Sequence, residues 1–112
     1  MRLATAFAGL AAIVLLSGCA GNESYFGSGP LPKSPQFDES FAKYKASNPG
    51  FFAVSTDGRA LGWTSCPVSS CSGNALINAI HACERSSKGV PCKIYADGPI
   101  VVWRSDQPPA AN

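Results

Sequence analysis

Cysteine is the residue type with the greatest capacity for chemistry in this chain, and there are five cysteines. The last four follow the spacing Cys-x4-Cys-x11-Cys-x8-Cys, at Cys66, Cys71, Cys83 and Cys92. Structural zinc sites bring ligands together in close Cys-x2–4-Cys pairs, a spacing that only the first pair matches. Thiol oxidoreductases use Cys-x-x-Cys, and the first pair has the wrong spacing for that motif. We therefore predict no metal ligands, no cofactor and no redox site.

Acid–base or nucleophilic catalysis would have to use the single histidine or the aspartates. His81 falls within a predicted helix, where a half-exposed histidine needs no catalytic explanation. Asp57 and Asp97 each precede a glycine, and Asp-Gly is typical of tight turns. We therefore predict no catalytic residue and a non-enzymatic protein.

The N-terminus has the form of a secretory signal peptide. Met1 and Arg2 give a short positive start, and residues 3–16 are apolar apart from one threonine. This apolar run is shorter than the roughly 20 residues that a membrane-spanning helix requires.

The motif Leu16-Ser17-Gly18-Cys19 follows the apolar run and resembles the lipobox of bacterial lipoproteins. The resemblance implies cleavage between Gly18 and Cys19, a thioether-linked diacylglycerol on Cys19, and acyl chains such as palmitate. Two acyl chains give stable membrane attachment. Ala20 follows the cysteine in place of the aspartate that often retains lipoproteins at the inner membrane. The resemblance therefore favours the outer membrane, facing the periplasm or the cell surface.

Lipidation of Cys19 leaves an even set of four cysteines in an oxidising compartment, where disulfides form. Four cysteines permit three pairings. We favour Cys66–Cys71 with Cys83–Cys92, because each bridge closes a short local loop.

The charge of the chain bears on its partners. The nine basic residues include Arg2 in the signal peptide, which leaves eight against seven acidic side chains. A nearly neutral domain has no basic patch to attract nucleic acid, so we expect no nucleic-acid partner.

Local patterns divide the chain into four parts: the signal peptide at 1–18, a lipidated Gly/Ser/Pro tether at 19–35, an α+β domain at 36–104 with its compact part at 51–104, and a disordered tail at 105–112. The domain begins with a predicted amphipathic helix over 36–47, in which three aromatic residues recur at helical spacing.

The compact part reads as two hairpins around one helix, in the order β-β-α-β-β. Residues 51–66 predict a hairpin that turns at Asp57-Gly58, and residues 67–72 a loop. A helix capped by Ser72 or Asn74 then runs to about residue 87. Strands at 92–96 and 100–104 follow, and strand alternation would place Cys92, Ile94 and Ala96 toward the helix. A domain this small buries little apolar area, and two disulfides would compensate for that.

Several short motifs of the compact part are similar to the DUF4189-type domains of proteobacterial secreted proteins. That resemblance implies the strand–helix–strand order and the disulfides, and it brings no established activity. The motifs are Phe52-Ala53-Val54-Ser55-Thr56-Asp57-Gly58-Arg59, Gly62-Trp63, Cys66, Cys71, Ala79, Cys83, Pro91-Cys92-Lys93-Ile94-Tyr95-Ala96 and Val102-Trp103.

Aromatic residues and the disulfide-framed loop are the candidates for a binding surface: Trp63, Tyr95, Trp103, Pro67 and Ser69. The first three share one predicted sheet face, which would either bind an envelope protein or glycan or be covered by the first helix. We favour cover by the helix, with part of the rim left free. The predicted function is a membrane-anchored binding or structural module. The alternatives are an inhibitor of a periplasmic or host hydrolase that uses the constrained loop, and a small enzyme.

Overall fold

The computed structural model describes residues 25–66 and 71–109. These residues form a small α+β domain with a four-stranded antiparallel sheet in the order β2-β1-β3-β4. The α+β class, with four strands and two helices, is confirmed. The elements are α1 (Phe37–Lys45), β1 (Pro49–Ser55), β2 (Leu61–Ser65), α2 (Ala75–Glu84), β3 (Cys92–Asp97) and β4 (Ile100–Val101).

Helix α1 forms where the aromatic spacing predicts it. Asp38 and Glu39 lie in its first turn and Lys43 and Lys45 in its last, which suits the helix dipole. Asn48 then adopts a positive φ of 52°, which redirects the chain into β1.

Helix α2 ends at Glu84, three residues earlier than predicted, and its apolar stripe faces the sheet. Asn74 occupies the N-cap position without a side-chain capping hydrogen bond, so only the position of the predicted cap is confirmed. The helix lies very close to β2, since a Cβ at Gly62 would overlap the backbone of Cys83.

The two faces of the sheet carry separate cores, because side chains alternate along β1. Ala53 belongs to the α2 core, together with Ala60, Leu76, Ala79, Ile80, Cys83, Cys92 and Ile94. Phe52 and Val54 belong to the α1 core, together with Phe37, Tyr44, Tyr95, Ala96 and Trp103. The favoured prediction, that α1 covers the aromatic face, is confirmed.

The predicted orientation of Ala96 is wrong. In the register of β1 and β3, Phe52 pairs with Ala96 and Ala53 pairs with Ile94, which leaves Tyr95 as an extra residue. A β-bulge of this kind interrupts strict alternation. Ala96 therefore joins Tyr95 in the α1 core instead of following Ile94 toward α2.

Residues 25–29 pair with the domain, whereas the sequence predicted a tether over 19–35. Gly27 N donates to Ile94 O and Gly29 N to Arg104 O, both at 3.0 Å. Strand β4 has only two residues, so the outer side of β3 at Ile94 is available to Phe26. Buried backbone groups require partners, and this segment supplies them. The predictions for residues 1–24 fall outside the described residues.

The C-terminal part also differs from its prediction. The last strand, expected over 100–104, ends at Val101. Beyond it, the backbone N–H groups of Val102 and Trp103 both donate hydrogen bonds to Tyr95 O, which interrupts the regular pairing with β3. Of the predicted disordered tail at 105–112, the described residues 105–109 contact the domain through Pro108, whose carbonyl accepts a hydrogen bond of 2.6 Å from Ser28 Oγ.

Two disulfides close the domain with the favoured pairing. Cys66–Cys71 joins the end of β2 to the segment before α2, with a Cα separation of 4.7 Å. Cys83–Cys92 ties the end of α2 to the start of β3, with a Cα separation of 6.2 Å. Both bridges restrict the unfolded chain, and the second also fixes α2 against the sheet.

Candidate functional site

The α1 core is an aromatic cluster centred on Phe52. The Phe52 ring stacks on Trp63 at a centroid distance of 5.5 Å and meets the rings of Phe41 and Tyr44 at 5.2 and 5.1 Å. Edge-to-face and offset contacts of this kind contribute beyond area burial. These contacts hold the rings against one another within the fold.

The predicted surface residues divide between the core and the rim. Tyr95 and Trp103 are buried, with 9% and 7% of their surface exposed. The Trp103 indole N–H donates to Gly29 O at 2.9 Å, which satisfies its polar group inside the fold. Trp63 is half-buried and lies on β2. Pro67 and Ser69 lie outside the described residues.

At the rim of the cluster, lysine side chains lie over the rings of the half-buried Phe41 and the buried Phe37 and Tyr95. Lys45 Nζ lies 4.8 Å from the centre of the Phe41 ring. Lys33 Nζ lies 4.9 Å from the ring of Phe37 and 5.7 Å from that of Tyr95. Cations over aromatic faces are attracted to the ring quadrupole, so these lysines help to hold the rim in place. Sequence reasoning missed Lys33, because it lies in the segment read as a tether.

Tyr44 is fully buried, and its hydroxyl donates to Gly98 O at 2.7 Å. Burial raises the pKa of this hydroxyl well above its usual value, and the nearby Asp97 carboxylate adds to the rise. A neutral, hydrogen-bonded phenol of this kind holds the β3–β4 turn to α1 and is not poised to lose a proton.

A shallow cleft of about 590 Å³ lies between residues 32–35 and the β1–β2 turn. Gly58 allows the two segments to meet: it has a φ of 78°, and a Cβ there would overlap the carbonyl of Pro32. Ser34 Oγ is buried in this region without a hydrogen-bond partner. Nothing in the sequence pattern predicted the cleft, because one wall belongs to the segment read as a tether. It is lined by Pro32, Lys33, Ser34, Pro35, Asp57, Gly58 and Arg59.

Asp57 acts within the turn, as its Asp-Gly context predicts. Its carboxylate accepts hydrogen bonds from Ser55 Oγ at 2.6 Å and Arg59 N at 3.1 Å. The Ser55 hydroxyl, and then the Arg59 N–H, lower the pKa of Asp57. The buried Ser55 Oγ also accepts from Ala60 N at 2.9 Å, so it joins the turn to the start of β2. These contacts give the Asp57 carboxylate a structural role in the β1–β2 turn.

The remaining candidates for chemistry lie apart in the fold. His81 is exposed on α2, and Asp97, the last residue of β3, is also exposed. Within residues 25–66 and 71–109, no three His, Cys, Asp or Glu side chains are grouped as metal ligands. Neither helix of this part of the chain has the length and hydropathy to span a bilayer.

Comparisons with known proteins add no relative. No protein-family model matches the chain, and no curated protein or solved structure shows significant similarity to it. The resemblances to a lipobox and to DUF4189-type domains stay predictions from the sequence motifs.

Proposed function

We propose that this protein is a membrane-anchored cell-envelope lipoprotein, exported, cleaved between Gly18 and Cys19, and lipidated on Cys19. The cysteine pairing is the observation that carries the proposal. All four cysteines of the domain are paired with one another, so Cys19 has no partner left in its own chain. An odd cysteine in an exported chain needs another fate, and the lipobox supplies one.

The two disulfides also support export of the protein from the cytoplasm. Two disulfides in a small domain are typical of proteins that fold outside the reducing cytoplasm. The outer membrane is the proposed destination, because Ala20 follows the lipidated cysteine.

The test is the intact mass of the full chain extracted from membranes, measured before and after reduction. We expect a polypeptide that begins at Cys19, carries acyl mass, and gains two hydrogens per disulfide on reduction. The Cys19→Ser variant should retain both disulfides and lose the acyl mass. A native chain that begins at Met1, or one with an unmodified thiol at position 19, would refute the proposal.

We further propose that the domain acts by binding an envelope protein or glycan and that the contact is centred on Trp63. The half-exposed indole is stacked on Phe52 with an interplanar angle of 10°. A ring held in this way loses little conformational freedom on binding, and tryptophan is enriched at binding hot spots.

Two variants separate binding from folding. Trp63→Phe keeps an aromatic face, whereas Trp63→Ala removes it. With isolated peptidoglycan and with envelopes cross-linked before extraction, we expect capture by the wild type and Trp63→Phe and loss of capture by Trp63→Ala. Circular dichroism checks that all three are folded. Equal capture by folded Trp63→Ala, or no capture by the wild type, would refute the binding role.

A further inference from the structure

The distance between the proposed lipid and the folded domain is short, because the domain begins earlier than the sequence predicted. Gly27 is hydrogen-bonded to β3, and Gly29 accepts the Trp103 indole N–H. Only residues 20–24 separate Cys19 from Tyr25. An extended chain spans at most about 3.6 Å per residue, so the Cα atom of Tyr25 lies within roughly 22 Å of that of Cys19.

The chain reaches the domain at one particular edge of the sheet. Strand β1 occupies one side of β3, and β4 pairs with the other side at Ala96 and Asp97. Phe26 pairs with that same outer side at Ile94. At about 3.3 Å per residue along β3, these two pairings lie roughly 7 Å apart. The N-terminal segment and β4 therefore share one edge.

This edge carries the exposed large hydrophobic side chains of the described residues. They are Ile100 at 63% exposed, Val101 at 47% and Tyr25 at 39%, and we call them the β4-edge patch. Charged residues of both signs lie along this edge, since Asp97 pairs in register with Ile100 and Arg104 forms a bridge with Ser28. Contact through this patch would be apolar and would depend little on salt.

We propose that the β4-edge patch rests on the surface of the bilayer that holds the Cys19 lipid, with Tyr25, Ile100 and Val101 in the interfacial layer. This inference rests on the proposed lipidation. The short connection limits how far Tyr25 can lie from the lipid and makes the contact intramolecular, which raises its effective concentration. Tyrosine favours the membrane–water interface. Three side chains offer far less than the roughly 800 Å² per partner of a standard protein interface, which argues against a second copy as the occupant.

Spin labelling of the reconstituted lipoprotein tests this orientation. The full lipidated chain is placed in phosphatidylethanolamine–phosphatidylglycerol vesicles with a nitroxide on Ile100→Cys, and Asn78→Cys, on the exposed face of α2, is the matched control. We expect collisions with a water-soluble nickel chelate to be several-fold fewer at position 100 than at position 78. The difference should persist at high salt. Val101→Cys serves as the second label site if Ile100→Cys does not fold.

The outcomes separate this inference from the lipoprotein proposal. If the intact mass shows acylated Cys19 and position 100 is as accessible to the chelate as position 78, the orientation is refuted and the anchor stands. If the mass shows no lipid, the anchor fails and the orientation fails with it. If dipolar broadening between labels at position 100 disappears on dilution with unlabelled protein, a second copy covers the patch, and the bilayer assignment is overturned.

Discussion

The close approach of α2 to β2 at Gly62 gives a sharp prediction for stability. The nearest neighbours of an added Cβ are backbone atoms, including the carbonyl carbon of Ala82 at 2.7 Å and the Cα of Cys83 at 2.8 Å. Backbone atoms cannot move aside as a flexible side chain can, and the Cys83–Cys92 disulfide ties this end of the helix to β3. Gly62→Ala must therefore displace the helix or distort the strand.

Overpacking of a tight core costs typically 1–3 kcal/mol. Because the obstruction here is backbone, we expect Gly62→Ala to lower the free energy of unfolding by about 3 kcal/mol. For a domain of this size, that corresponds to a fall in Tm of roughly 12–24 °C. Urea unfolding followed by circular dichroism, with the disulfides intact, measures the first quantity, and calorimetry measures the second.

Gly73→Ala is the matched control. Gly73 has no heavy atom within 4 Å of an added Cβ, and its φ is not in the left-handed region. Reduced freedom of the unfolded chain should leave this variant unchanged or stabilised by up to about 1 kcal/mol. A Gly62→Ala protein within about 0.5 kcal/mol of the wild type, the range of ordinary surface substitutions, would show that α2 does not approach β2 as described.

The other predictions concern the disulfides and two hydrogen-bonded side chains. Replacing Cys83 and Cys92 together by alanine should lower the free energy of unfolding in urea by about 3 kcal/mol, and replacing Cys66 and Cys71 together by about 2 kcal/mol. The first loss is larger because that disulfide spans 9 residues and the other spans 5, and the longer loop restricts the unfolded chain more. A larger loss for the Cys66–Cys71 pair would contradict this argument. Tyr44→Phe should cost about 1 kcal/mol at pH 7 by losing the bond to Gly98 O. Because the pKa of Tyr44 is raised in the folded state, its hydroxyl keeps its proton at a pH where the unfolded chain has already ionised. The stability of the wild type should therefore fall more steeply than that of Tyr44→Phe as the pH rises above about 10. Parallel curves of stability against pH would be inconsistent with a buried phenol. The pKa of Asp57 is lower in the folded than in the unfolded state, so its ionised carboxylate stabilises the fold above the unfolded pKa, and this stabilisation is lost as the pH falls through the folded pKa. Asp57→Asn should therefore lower the urea midpoint at pH 7 and have little effect at pH 2. An equal loss at both pH values would rule out the carboxylate as the cause.

The parts of the fold that sequence patterns predicted depend on residues close together in the chain. Asp57-Gly58 and Asp97-Gly98 mark the two hairpin turns, and both glycines have positive φ values. The aromatic spacing in α1 predicted a helix that could cover the sheet, and the short loops between cysteines favoured the observed pairing. Each of these patterns involves residues close together in the chain, so it can be interpreted without knowledge of the tertiary structure.

The features that the sequence did not predict depend on distant partners. The bulge at Tyr95 appears only in the register between β3 and β1, and the composition of residues 92–97 carries no mark of it. The pairing of Gly27 with Ile94 and Arg104 joins residues 67 and 77 positions apart, and a Gly/Ser/Pro composition is equally typical of a linker. The cleft at Gly58 was missed for the same reason, since residues 32–35 form one wall.

Sheet order connects the proposed anchor with the proposed binding surface. Trp63 lies on β2 and the β4-edge patch on β4, and these strands are the two opposite edges of the sheet. Three strand spacings of about 4.8 Å separate them by roughly 14 Å. If β4 lies against the bilayer as proposed, β2 with Trp63 lies at the edge of the sheet farther from it, which is the side where an envelope protein or glycan would be met. In this proposal, the packing of residues 25–29 sets the orientation of the domain, because a free linker over 19–35 would allow either edge to face the membrane.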